Sequence, residues 1–319
     1  MRIFLAGGTG AIGKRLIPLL VRGDHQVVAT TRRRDKFEEL KSLGAEAVVM
    51  DGLDRQGILE ALRAASPEVV VHQMTALTHL KNFRKFDEEL ALTNRLRTEG
   101  TEYLIEAARG VGARRLVAQS YIGWTSKREG RGLKSEEEGR DRPLPSMRQT
   151  LEAMERLETL VTEASDLSGT VLRYGSFYGP GTHFGPGSDL LEQVRRRRFP
   201  IFGEGSSVWS FIHIDDAAEA TRLAIEGSQT GIYNIMDDDP AEIAVWLPEL
   251  AKMLGAPPPY HLPAWLGRVV LGEAGMAQMV GGRGWSNEKA KRELGWKPGY
   301  ASWRDGFREL APERARTAA

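Results

Sequence analysis

The stretch Arg2-Ile3-Phe4-Leu5-Ala6-Gly7-Gly8-Thr9-Gly10-Ala11-Ile12-Gly13 decides the fold. Arg2–Ala6 is short and apolar, as a strand buried on both faces should be. Glycines follow at once in the spacing G-x-x-G-x-x-G, across Gly7, Gly10 and Gly13. Behind them opens an amphipathic run with Ile12, Leu16, Leu19 and Leu20 on one side. In this setting each glycine has a use. One permits a tight turn out of the strand, one lets the backbone approach a pyrophosphate, and one lets the helix pack on the sheet. The helix N-terminus adds unpaired N–H groups and the positive end of its dipole. Gly7, Thr9, Gly10, Ala11, Ile12 and Gly13 are therefore the first candidate cofactor-binding segment.

Outward from this turn, strand and helix signals alternate. Strands are expected at Gln26–Thr31, Ala47–Met50, Glu68–His72, Arg115–Gln119 and Thr170–Arg173. Helices are expected at Ala11–Val21, Lys36–Leu43, Gln56–Ala64, Phe86–Arg109 (one long stretch) and Gln149–Ala164. Such a series builds an α/β, doubly wound parallel Rossmann sheet with its ligand beyond the carboxyl ends of the strands. Residues 123–145 are polar and charged and read as a loop over that edge. Pro257–Pro259 marks a break before an apolar helix around Trp265–Leu271. The run Arg195–Arg198 reads as a solvated helix end.

The end of the second strand bears on the cofactor. A carboxylate there binds the ribose 2′-OH of NAD. This chain instead reads Thr30-Thr31-Arg32-Arg33-Arg34. A guanidinium pairs with a 2′-phosphate that a carboxylate would repel. The expectation is NADP rather than NAD, with Arg32 as first contact and Arg33 as second.

Composition narrows the class. The 319 residues hold no cysteine, so disulfides, thiolate metal sites and cysteine nucleophiles are excluded. Lys+Arg is 44 against 43 Asp+Glu, which gives no sign of a nucleic-acid or membrane-surface partner. No apolar run has the length of a membrane span, and no metal-ligand cluster stands out. A cytoplasmic protein acting on a small-molecule substrate is the simplest expectation.

The ordered motifs resemble the extended and atypical short-chain dehydrogenase/reductase superfamily, of the NAD-dependent epimerase/dehydratase type. After the glycine turn come Asp51 and Gly52 behind the third strand, then Asn94 and Thr101 ahead of Glu106-Ala107-Ala108. Next are Arg173-Tyr174-Gly175-Ser176-Phe177-Tyr178-Gly179-Pro180-Gly181 and Phe211-Ile212-His213-Ile214-Asp215-Asp216. Tyr233-Asn234-Ile235 and Lys291-Arg292-Glu293-Leu294-Gly295-Trp296 close the set. The resemblance implies a Rossmann domain over residues 1–173, with 208–237 returning to it. It implies a smaller C-terminal substrate lobe from 174–207 and 238–310, and allows a homodimer. It further implies cofactor contacts from Asp51, Gly52, Met74, Thr75, Ala76, Tyr174 and Phe177. His213 and Asp216 read as residues of the lobe junction.

The resemblance also exposes a gap. The family's Tyr-x-x-x-Lys pair sits on the helix after the fifth strand, where the lysine four residues on lies on the same face and lowers the phenol's pKa. Counted back from Glu155, those places hold Met147 and Leu151, and no tyrosine lies between Tyr121 and Tyr174. Ser120 matches the family's assisting hydroxyl, and Tyr121 beside it is a relocated acid candidate. Tyr178 and His183 are further candidates. The reading is an atypical NADP-dependent oxidoreductase of a small carbonyl or alcohol, with a non-standard proton donor. A silent NADP-binding redox-sensing regulator, or a non-redox lyase or isomerase retaining the nucleotide, is the alternative.

Overall fold

The computed structural model describes residues 1–77, 82–123 and 132–310. Part of the polar 123–145 loop thus lies outside the described residues. Seven parallel strands form the central sheet: β1 Arg2–Ala6, β2 Gln26–Thr31, β3 Glu46–Val49, β4 Val69–His72, β5 Arg115–Tyr121, β6 Ser168–Tyr174 and β7 Gly231–Ile235. Their order is β7-β6-β5-β4-β1-β2-β3. The direction of winding reverses between β1 and β4, so a crevice opens beyond the carboxyl ends of those two strands. β1 is the innermost of the winding, and Ile3 through Ala6 are wholly buried.

Five principal helices cover the sheet: α1 Ala11–Arg22, α2 Arg55–Ala65, α3 Glu99–Gly110, α4 Arg148–Thr162 and α5 Ile214–Glu226. On one face, Leu16, Ile17 and Leu20 of α1 pack with Ala217, Ala220 and Ala224 of α5 and with Trp296. On the other, Ile58 and Leu62 of α2 join Leu104 and Ala108 of α3 and Leu157 and Val161 of α4. Burying each such branched aliphatic side chain contributes roughly 1.5–3 kcal/mol. Pro18 sits inside α1, and the helix runs on to Arg22.

The long helix expected over Phe86–Arg109 is in fact three pieces: Phe86–Glu89, Ala91–Arg97 and α3. The second break is at Thr98 (φ −94°, ψ −80°). Its hydroxyl donates to the carbonyls of Asn94 and Arg95, a local competitor to regular helix. The helix after the proline break is longer than expected, Ala264–Val280, and is kinked at Gly272, which has φ +70°.

A second core, strongly aromatic, gathers Phe184, Phe211, Trp246, Trp303 and Phe307. Among the described residues, no helix is long and apolar enough to cross a membrane. The arginine run at 195–198 is occupied locally. Arg195 and Arg196 pair with Glu192, and Arg197 stacks 3.7 Å over Tyr260.

Candidate active site

Gly7 leaves β1 at φ +101°, and a Cβ there would stand 2.7 Å from the Gln73 carbonyl oxygen. A Cβ on Gly13 would stand 2.5 Å from the Gly8 carbonyl oxygen. Both glycines are required by the fold itself. Gly10 is different. Its φ −72° and ψ 170° suit any residue, and a Cβ would meet only the Gly7 carbonyl oxygen, at 3.3 Å. Packing alone does not demand glycine at position 10. No side chain caps α1, and its first turn carries no acid. The N–H groups of Ala11, Ile12 and Gly13 thus have no acceptor in the helix. Thr9 and Ala11 border an open hollow of about 400 Å³, together with Lys14, Arg15, Leu43, Pro180 and Gly181.

Beyond β2, the guanidinium of Arg33 is held by the carboxylate of Asp35, with Nε donating to Oδ1 at 3.0 Å. Arg32 is exposed and makes no hydrogen bond or ion pair among the described residues. The exposed Asp51 accepts from the Leu53 N–H at 2.9 Å through Oδ1. Gly52 is buried, and a Cβ there would strike Sδ of Met74. Met74 is buried, while Thr75 and Ala76 behind it are half-buried. Tyr174 departs from expectation. Its ring lies in the core, and its hydroxyl is bonded to Thr221 at 2.7 Å and Gln73 at 3.5 Å. It therefore offers no side chain to a cofactor. Phe177 is half-buried beside it, ring centroids 5.3 Å apart.

The ends of β5 and β6 carry a buried ionic network. Ser120 and Arg173 are partners in the strand register. Ser120 donates its hydroxyl proton to Glu158 at 2.7 Å. Arg173 grips the same carboxylate with Nε at 2.9 Å and Nη2 at 2.6 Å. Arg140 reaches in from the loop, donating to both Glu158 oxygens at 2.6 and 2.7 Å, to the Tyr121 carbonyl at 2.7 Å and toward the Ser120 oxygen at 3.5 Å. Burial alone would raise the Glu158 pKa; Arg140 first, then Arg173, overcome it and bring it to about 2. Arg97 is buried nearby, and burial and the charge of Arg140 lower its pKa to about 10.

The loop that carries Arg140 is pinned on the lobe side. Glu136 accepts from the Asn234 N–H, Glu138 pairs with Arg283, and Lys134 exchanges backbone bonds with Gly284 and Ser286. Tyr121 turns away from Ser120, and its hydroxyl lies 3.2 Å from that of Ser176. Both border a small cavity between sheet and lobe with Ser207, Ser210, Gln278 and Trp285. Burial pushes the Tyr121 phenol up to about 12.

Two further candidates lie elsewhere. Tyr178 is fully buried among Phe211 and Phe307, away from any opening, and His183 is exposed. His213 and Asp216 bind backbone. His213 accepts from the Asp215 N–H, and Asp216 accepts from the N–H groups of Gly299 and Tyr300, tying the C-terminal segment to α5.

Comparison with known proteins settles the family. The model of the NAD-dependent epimerase/dehydratase family matches residues 3–235. The chain belongs to that family. A 3-diazoavenalumate denitrifying reductase of Streptomyces is 44% identical over 309 residues, covering 96% of this chain and 99% of that one. A 2-alkyl-3-oxoalkanoate reductase of Stenotrophomonas maltophilia is 28% identical, covering 81% and 77%. The fold matches UDP-glucose 4-epimerase of Thermotoga maritima with TM-score 0.77 and 23% identity over 99% of both chains. The chain is thus an enzyme of the NAD(P)-linked oxidoreductases.

The structure offers a second register on which to read α4. Glu155 is exposed, whereas Glu158 is the acid that faces Ser120. Counted back from Glu155 the two positions fall on Met147 and Leu151; counted back from Glu158 they fall on Thr150 and Met154. All four are buried. The Thr150 hydroxyl donates to Asp87 at 2.7 Å and accepts from Asn94 at 3.0 Å. No tyrosine or lysine stands on α4 in either register.

Sequence reasoning passed over Glu158, Arg140 and Arg97. One signal was available for Glu158: a carboxylate on the apolar stripe Leu151, Met154, Val161. Arg140 has no such periodic signal, because a loop delivers it.

Proposed function

We propose that this enzyme is an NADPH-dependent reductase that removes nitrogen from a diazo-substituted organic acid. The relative sharing 44% of its sequence along the full length is a denitrifying reductase of such a compound. The observation within the site that carries the reading is Ser120. Its proton is committed to a carboxylate that stays ionised, so it presents lone pairs rather than a donor to whatever binds. Carbonyl reduction creates an oxyanion that needs a proton. Replacement of a diazonium group by hydrogen does not: the C–N bond breaks, N₂ leaves, and a C–H bond takes its place.

In this reading the Gly7–Gly13 turn and the start of α1 hold the pyrophosphate, and Arg32 takes the 2′-phosphate. Asp51 and Gly52 meet the adenine side, and Met74, Thr75, Ala76 and Phe177 wall the nicotinamide end. The reduced nicotinamide supplies the hydride when bound. Tyr121 and Ser176 place neutral hydroxyls at the cavity, and Trp285 closes one side of it.

A second reading is favoured by Tyr121 itself. A protonated phenol at the cavity could protonate a carbonyl oxygen, as the oxo-acid reductase among the relatives requires. The two are separated by kcat/KM for an arene-diazonium carboxylate against a 3-oxo acid, both with NADPH. The first reading expects clear preference for the diazo acid. Preference for the oxo acid, abolished by Tyr121→Phe, would establish the second.

A further inference from the structure

The network at the ends of β5 and β6 carries more charge than its structural role requires. Two arginines, Arg140 and Arg173, grip one carboxylate, Glu158, and a third, Arg97, is buried within electrostatic reach of both Arg140 and Glu158. Nη1 of Arg97, Nε of Arg140 and Nη1 of Arg173 are all buried without a partner among the described residues. A network built for stability alone would pair those groups, since an unsatisfied buried donor costs about 1–3 kcal/mol, and more when charged. Excess buried cations are, however, what a hydride acceptor needs. The incoming electron pair adds one negative charge to the substrate. Fixed dipoles and charges in a water-excluded site stabilise that change without reorganising.

We propose that Arg140 is the positioning cation of this enzyme. It is delivered by the 132–144 loop rather than by a helix. It has two tasks. It holds Glu158 and Ser120 so that the serine's proton points away from the substrate. With Arg97, it supplies the fixed positive charge at the end of β5 toward which electron density moves when hydride arrives. The inference rests on the reductase reading above and names the residue through which that site works. The charged and titratable groups facing Arg140 are Arg97 from the Ala91–Arg97 helix, Tyr121 on β5, Glu158 on α4 and Arg173 on β6. Glu158 and Tyr121 titrate far from neutrality on opposite sides. The wild-type rate constant kcat is therefore flat across roughly pH 6–9.

The test compares wild type with Arg140→Ala and Arg140→Lys on an arene-diazonium carboxylate and NADPH, with thermal unfolding and NADPH affinity measured in parallel. Arg140→Ala is expected to lower kcat roughly 100-fold while NADPH affinity holds, the loss typical of removing a preorganised charge. Added guanidinium ion restores part of it. Arg140→Lys keeps partial activity, but kcat falls as pH rises through the titration of the buried ammonium, a slope absent in wild type. A folded Arg140→Ala with near wild-type kcat overturns the proposal. So does a loss that guanidinium cannot rescue and that tracks NADPH affinity or thermal stability. Should Arg140→Ala fail to fold, the lysine variant decides alone: a flat pH profile refutes the role. Failure of wild type to consume the diazo acid would instead refute the reductase reading, so the two failures are distinguishable.

Discussion

Replacing Gly10 by alanine separates the two jobs of the glycine turn. The backbone at position 10 is already in a conformation open to alanine, and the new Cβ meets one carbonyl oxygen at 3.3 Å. The structural penalty is that of alanine against glycine at a helix N-cap, about 1 kcal/mol or less. For a chain of this size that lowers Tm by about 2 °C. Binding should suffer far more. In the proposed binding mode the methyl group would occupy the side on which the pyrophosphate approaches, displacing it from one or two N–H donors. At about 1.5–3 kcal/mol per charge-assisted bond, NADPH affinity falls roughly 10- to 100-fold or beyond. Gly13→Ala is the control, because its Cβ would sit 2.5 Å from the Gly8 carbonyl oxygen and force the turn open. Overpacking of that kind costs about 1–3 kcal/mol, so stability and binding decline together. NADPH fluorescence titration alongside thermal unfolding reads both. Gly10→Ala binding NADPH like wild type would refute the assignment of the turn.

Other consequences follow from the same geometry. Arg32→Ala should weaken NADPH binding about 10- to 30-fold, the worth of one charged hydrogen-bonded contact, and leave NADH unchanged. Arg33→Ala should do little, because Asp35 already holds that guanidinium. Glu158→Gln leaves three buried cations without their carboxylate and should destabilise the fold by about 3–5 kcal/mol in denaturant titration. His72 is held down to about 4 from an ordinary 6.5 by burial, with its bond to the Leu96 carbonyl opposing. A depressed pKa stabilises above the unfolded value. Roughly 3 kcal/mol is therefore lost as pH falls from 6.5 toward 4, a loss that thermal unfolding of His72→Gln should not show. The Glu158 contribution disappears lower, between 4.5 and about 2.

The sheet was legible in the sequence because its signals are local. A buried parallel strand is an apolar run, and a glycine turn announces itself by spacing. The third strand and the first three helices fell within a residue or two of expectation. The three-way division of Phe86–Gly110 was not legible, because it depends on where the Thr98 hydroxyl turns. Tyr174 looked like a cleft residue by motif, but Thr221 on α5 takes its hydroxyl into the core. The Arg140 network was hidden for a deeper reason. It joins a loop, two strands and a helix whose members lie far apart in the chain, and only the closed sheet brings Ser120 beside Glu158. Glu155 and Glu158 are equally acidic on paper, and only burial tells them apart.

In the proposed reaction, hydride from NADPH replaces a diazo group without an added proton donor. Its most direct test is the gas balance of anaerobic turnover with an arene-diazonium carboxylate. One N₂ is expected for each NADPH oxidised, above a control without enzyme. NADPH oxidation without N₂, or N₂ release that does not need NADPH, would contradict it.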